Sequence, residues 1–149
     1  ALVNSIDKKI KEINWKPDLI IASYHGIPKK YFDKGDPYHC YCHKTTRLIS
    51  EKFSSIKIKT TFQSRFGPQE WLQPYTDKTL ENLPKQGVKN ILTICPGFAS
   101  DCVETLEEIQ IQAKESFINS GGENFDMVPC LNDSNDHIIL LKSLIERNI

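Results

Sequence analysis

The sequence predicts a doubly wound α/β domain, a mainly four-stranded parallel sheet with helices on both faces. Three observations carry this. Short β-favouring runs recur along the chain at Asp18 to Ser23, Ile56 to Phe62, Asn90 to Cys95 and Phe125 to Val128. Stretches of helical periodicity stand between them and at both ends, and each run closes on turn-forming or polar residues. Strands separated by helices pack in parallel through right-handed crossovers, and ligands then gather outside the carboxyl ends of the strands.

The elements follow in order. Val3 to Ile13 has helical periodicity, closed by Lys16-Pro17. Asp18 to Ser23, DLIIAS, is continuously apolar and of strand length, as expected of a strand covered on both faces. It runs into Tyr24-His25-Gly26-Ile27-Pro28. Beyond the turn at Gly35 to Pro37, a helix is predicted from Tyr38 to Phe53. Ile56 to Phe62 alternates isoleucine and lysine before Thr-Thr-Phe, a second strand ending on Gln63-Ser64-Arg65. After a long loop containing Trp71 and Pro74, a helix starts near Asp77 and stops before Gly87. The third strand is broken by Pro96-Gly97. From Ser100 a helix places Val103, Leu106, Ile109, Ala113 and Phe117 on one face and Glu104, Glu108 and Gln112 on the other. Asp101 as N-cap with Glu104 three residues on reads as a capping box. Gly121-Gly122 stops this helix, the fourth strand follows, and Ser134 caps a last amphipathic helix carrying Ile138, Leu141, Leu144 and Ile145.

Residues 1–149 are long enough for one core, and the expectation is a single domain. The formal charge is zero with no basic cluster, which argues against nucleic acid as a partner. No apolar run approaches the ~20 residues that span a bilayer, and no signal-peptide pattern is present, so a soluble, cytoplasmic location is expected. The chain opens on Ala1 inside a helical pattern and its single methionine is Met127, which points to a piece of a longer protein. Its five cysteines lack the even spacing of a disulfide scaffold and are expected to be reduced.

On the predicted topology, the carboxyl ends of the strands bring His25, Gln63-Ser64-Arg65, Phe98 to Glu104 and Asn132-Asp133 to one edge. A neutral imidazole and a carboxylate converging there can bind a borderline metal or pass a proton. Either residue alone has a bland reading, His25 as an outward-facing turn residue and Glu104 as half of a cap. Cys40-x-Cys42-His43 lacks a second ligand pair at regular spacing and reads as helix surface. Cys95 and Cys130 read as small core residues. Trp71 and Phe98, in loops at the same edge, suit a flat apolar ligand or the anchoring of the loops themselves. No phosphate-binding glycine motif follows any strand.

The runs SYHGIPKKYFDKGDPY (Ser23 to Tyr38), TFQSRFGPQEWLQPYTD (Thr61 to Asp77), CPGFASDCVETLEE (Cys95 to Glu108) and CLNDS (Cys130 to Ser134) resemble the ferrochelatases, which insert ferrous iron into a porphyrin to make haem. The resemblance covers the chain from about Trp15 onward. It implies a chelatase-like fold and the carboxyl-terminal half of a two-domain enzyme, with the porphyrin cleft between similar halves. It implies that His25 and Glu104 are catalytic and, with Glu108, metal-binding, and that Trp71, Phe98, Asp101 and Ser64 belong to the porphyrin pocket. It further implies a widened π turn in the Glu104 helix, Fe2+ and protoporphyrin as substrates, the amino-terminal half as partner, and a peripheral membrane contact of the full-length enzyme.

The chain departs from the family at Gln112, a neutral amide where relatives carry a third carboxylate. Animal relatives have histidine at the position of Cys102, so no role is carried over there. Some relatives hold a [2Fe–2S] cluster through four cysteines. That spacing is not matched among the five here, and no resident cofactor is predicted. Two other readings fit a His and Glu pair: another tetrapyrrole chelatase, or a non-catalytic haem- or metal-binding module.

Overall fold

The computed structural model describes residues 1–149. Four parallel strands, β1 (Leu19–His25), β2 (Lys57–Gln63), β3 (Asn90–Ile94) and β4 (Asn124–Met127), lie in the order β2-β1-β3-β4. From β1 the chain moves outward to β2, then crosses back to place β3 on the other side of β1. This reversal opens a crevice between the carboxyl ends of β1 and β3, the place where doubly wound sheets take ligands. Register pairs His25 with Gln63 and Tyr24 with Phe62.

Because side chains alternate along a strand, the sheet builds two separate cores. On one face Ile20, Ala22, Tyr24, Phe62, Leu92 and Ile94 pack under α1 (Leu2–Glu12) and α3 (Tyr38–Ser50), which contribute Ile6, Cys42 and Ile49. On the other, Ile21, Ile91, Cys95, Phe125 and Met127 meet Leu80 of α4 (Thr76–Asn82) and the long helical rod that follows β3. A short α2 (Lys29–Asp33) leads from β1 to α3. Strand β2 is an edge strand whose outer half carries Lys57 and Lys59 in the open, charges that oppose pairing with another chain.

The rod is not one regular helix. It begins as α5 (Val103–Leu106), widens into a π segment at Glu108–Ala113 and returns to α-helix as α6 (Lys114–Asn119). Its buried residues explain why: Thr105, Ile109, Ala113 and Phe117 recur every four positions. In a regular α-helix four residues overshoot a full turn by about 40°, so three such steps would swing the row off the sheet. A wider turn takes up the excess and keeps the stripe facing inward. The 3.6-residue reading put Val103 and Leu106 on that face; both are exposed, at 72% and 45%, and the buried Thr105 replaces them.

Other departures are local. Strand β1 extends to His25, α3 ends at Ser50 rather than Phe53, and Ser134 stands at the N-cap of α7 (Asn135–Glu146) without a side-chain capping bond. The apolar side of α7 does not join either core: Ile138, Ile139, Leu141, Leu144 and Ile145 are all exposed, and only His137 is buried.

Gly122 lies against the ring of Phe117, a fully buried residue of the second core, so closely that a Cβ would overlap three ring carbons. Gly122→Ala should therefore lower stability by about 1–3 kcal/mol through overpacking, read as a fall in the urea midpoint at unchanged slope.

Candidate functional site

His25 closes β1 and is half-buried. Its Nδ1 lies 2.7 Å from the carbonyl oxygen of Gly26. A carbonyl only accepts, so Nδ1 carries the proton and Nε2 of the neutral ring keeps its lone pair free for a proton or a metal. The Tyr38 hydroxyl donates to the His25 carbonyl at 2.8 Å, and the Phe98 ring stands 6.3 Å from the imidazole. Gly26 itself donates to the Gln63 carbonyl at 2.8 Å; a Cβ there would come within 2.8 Å of that oxygen and 3.2 Å of the Trp71 ring. Only glycine lets the strand end approach this closely.

Glu104 enters from the opposite side of the crevice, in the first turn of α5. Its carboxyl is held below the usual range by its own backbone N–H, then by the Cys102 thiol, with a further contribution from the nearby His25. The predicted capping box is corrected by the structure. Cys102 is the N-cap, and the Thr105 hydroxyl accepts its N–H at 3.0 Å. Thr105 does this from full burial, so Glu104 takes no part in the cap.

Asp101, one residue before the cap, acts as a clasp. Its Oδ1 accepts from the Cys130 N–H at 3.2 Å and lies 3.1 Å from the Thr105 hydroxyl, its Oδ2 accepts from Asn132 at 2.8 Å, and its own N–H donates to the Asn132 side chain at 2.8 Å. Burial alone would raise this carboxyl; the bonds from Asn132, Cys130 and Thr105 outweigh it and hold the pKa low. Asn132 has a left-handed φ of 47°, and its carbonyl accepts from His137 Nδ1 at 2.6 Å.

Gln63 joins the two sides. Its Nε2 donates to the Glu104 carbonyl at 2.7 Å and reaches the Glu108 carboxylate at 3.3 Å, while its Oε1 accepts from Ser23 at 2.8 Å and lies 3.7 Å from Cys95 Sγ. The amide is 3% exposed. Glu108, opening the π segment, takes the Ser64 N–H at 2.6 Å and the Ser64 hydroxyl in a very short bond. Ser64 adopts φ 63°, a left-handed conformation that aims its N–H at that carboxylate. Beside them an open groove of about 320 Å³ runs past Ser64, Arg65, Thr76, Asp77, Glu108 and Gln112. Gln112 bonds to Glu107 rather than extending the carboxylate line.

The ferrochelatase family model matches residues 1–149. The chain belongs to the ferrochelatase family. It is 56% identical to the ferrochelatase of Rhizobium meliloti (strain 1021) and 49% identical to that of Brucella ovis (strain ATCC 25840 / 63/290 / NCTC 10512), each over 151 aligned positions. Both alignments cover 100% of this chain, but only 44% and 43% of those relatives. The chain thus spans less than half the length of the curated ferrochelatases it matches. Among solved structures it is similar to a putative cobalamin (vitamin B12) biosynthesis CbiX protein from Marinobacter aquaeolei VT8, with a TM-score of 0.56 and 12% identity over 89% of this chain and 97% of that one. At that identity the likeness is one of fold.

Within this ferrochelatase-family chain the expected site residues separate into groups. His25, Phe98 and Glu104 flank the β1–β3 crevice, and Ser64 with Glu108 forms a second cluster one turn along the π segment. Trp71 is 5% exposed and donates to the Phe66 carbonyl at 3.0 Å. It anchors its loop, and Phe66, its ring tilted at 50° against the indole and 73% exposed, presents an aromatic surface there. The sequence places Gln63 at this edge without giving it a role, and it does not single out Phe66. A strand-end glutamine gives no sign of being buried, and an exposed loop phenylalanine gives no sign of covering a tryptophan.

The cysteines divide between the two faces of the sheet, with Cys95, Cys102 and Cys130 near one another on one side. Cys42 is buried in the α3 core and Cys95 in the core across the sheet, while Cys40 is exposed. Burial pushes the Cys42 thiol up to about 11 and, with Asp101 beside it, the Cys130 thiol up to about 12. Without a metal beside them such thiols stay protonated at neutral pH.

Because the Asp101 carboxyl is depressed in the fold, its contribution is present above the unfolded pKa of about 4 and is lost as pH falls through the lower folded value. Asp101→Asn turns an acceptor toward donors, so it should cost about 1–3 kcal/mol at pH 7. Urea melts from pH 7 down to pH 3 should show that the gap between variant and parent narrows toward the acid end.

Proposed function

We propose that this chain forms one wall of a ferrochelatase that inserts Fe2+ into protoporphyrin IX, giving haem and two protons as the last step of haem biosynthesis in the cytoplasm. The reading rests on one observation: in a ferrochelatase-family chain, an imidazole with a free Nε2 faces a carboxylate held ionised, at the point where the strand order reverses. Phe98 beside His25 offers a flat apolar surface to the macrocycle. No helix is long and apolar enough to cross a membrane.

Metallation requires two pyrrole N–H protons to leave while the iron sheds water. In this reading His25 Nε2 accepts a pyrrole proton, and the resulting imidazolium is stabilised by Glu104. Handing that proton to Glu104, and on to Glu108 and groove water, resets the imidazole for the second. Glu104 and Glu108 also suit the incoming ferrous ion, whose borderline character accepts both oxygen and imidazole. Gln63 ties the Glu104 backbone and the Glu108 carboxylate to one frame.

The rest of the protein is the other wall. The exposed apolar side of α7 supports docking of the remaining half there, since burying Ile138, Leu141 and Ile145 would remove apolar surface from water. An open wall can neither grip the macrocycle nor exclude water from the metal.

In the whole protein, His25→Ala should cut porphyrin metallation by about 10²-fold or more while the far-ultraviolet spectrum stays native. Turnover with zinc and a soluble porphyrin measures it, and an unchanged rate would remove His25 from the mechanism. Since Glu104 lies outside the cap, Glu104→Gln should leave the melting temperature almost unmoved yet lower turnover by orders of magnitude. The isolated chain should show no steady turnover. Saturation of the whole protein at one equivalent would instead mark a haem- or metal-binding module.

A further inference from the structure

The run Cys40-x-Cys42-His43 plays no part in the site above, and α3 sorts it in an unexpected way. The helix turns its cysteines apart, Cys42 inward and Cys40 into solvent. It brings its histidines together. His39 and His43, one turn apart on the same helix face, have ring centroids 4.4 Å apart and planes at 49°. Phe32 stands 4.8 Å from the His39 ring, and Phe62 stacks on it at 5.7 Å and 20°; Phe62 also lies 6.3 Å from His43.

The nitrogens of this pair are unused. Of the chain's four histidines, His25 and His137 each place a ring nitrogen on a backbone carbonyl, whereas His39 and His43 have no hydrogen bond to the protein. Aromatic contacts therefore fix the His39 ring plane without occupying its donor atoms. Burial, with the neighbouring His39 charge, lowers the pKa of His43, which favours the neutral ring.

The spacing suits chelation. An ion about 2.1 Å from one nitrogen of each ring would stand roughly 3.2 Å from each centroid, so the observed separation corresponds to an N–metal–N angle of roughly 90°. No third His, Cys, Asp or Glu is grouped with the pair to complete a closed site, so water would fill the remaining positions. That is the pattern of an exchangeable site rather than a structural one.

We propose that His39 and His43 chelate a borderline divalent transition ion of the Fe2+ to Zn2+ series, on the α3 face of the sheet. Alternation along β1 and β2 puts Phe62, and with it this pair, on the face opposite to Gln63 and the His25 side chain. The proposal is independent of the ferrochelatase reading, because it concerns binding of the ion alone.

The test is a calorimetric titration of Zn2+ into the reduced chain carrying His25→Ala, alongside proton spectra of the imidazoles. The His39 and His43 resonances should shift together within the first equivalent while His137 stays in place. His43→Gln, at an exposed position, should weaken binding about tenfold or more with the fold intact, and His39→Gln should do the same from the other ligand. Cys40→Ser should leave the affinity unchanged. The proposal fails if binding survives both glutamine variants, if only one imidazole responds, or if Cys40→Ser abolishes it.

Discussion

One buried amide holds the site together. Gln63 uses both lone pairs of its oxygen and both hydrogens of its nitrogen, and its partners come from β1, the residue after β3, the turn after β2 and the Glu104 rod. Such bonds are each worth about 1 kcal/mol net, more to a charged partner, but leaving one end unmade inside the protein costs more than making it gains. That asymmetry fixes the amide, and through it the spacing of the sheet edge from the Glu104 backbone and the Glu108 carboxylate. Behind it, Ser23, Thr76 and Thr61 continue the hydroxyl chain into α4 at 2.8 Å spacings.

The same arrangement accounts for the division of the molecule. Apolar side chains fill both faces of the sheet and fix its strands, while the polar groups gather where the strands end and the backbone changes direction. Local strain collects there too. Ser64 and Asn132, the two non-glycine residues with positive φ, sit at the two ends of the constellation, one presenting its N–H to Glu108 and the other clasping Asp101. A left-handed backbone of this kind costs about 1–3 kcal/mol, so it persists only because charged acceptors reward it.

The π segment belongs to this account as well. It answers a packing requirement, a buried row repeating every four residues, yet it also sets the direction in which Glu108 leaves the rod. Stability and chemistry are thus served by one distortion. By contrast α7 meets no such requirement within the chain, and its apolar side stays in water.

Pattern alone determined the alternation of strands and helices, the parallel sheet, and the gathering of His25, Ser64, Phe98 and Glu104 at one edge, because periodicity and turn residues are local properties. The motifs around His25 and Glu104 likewise carried the family. Only the tertiary structure decided the strand order, and hence which two strands bound the crevice, because crossovers of similar length can place β3 on either side. It also replaced Asp101 and Glu104 by Cys102 and Thr105 in the cap, turned Trp71 inward, and exposed Val103 and Leu106. In each case the deciding quantity was a contact between residues far apart in the chain: Asp101 with Asn132, Gly26 with Trp71, Gln63 with Glu104. No local pattern encodes such contacts, since hydrogen-bond partners and burial are set by what the fold brings alongside.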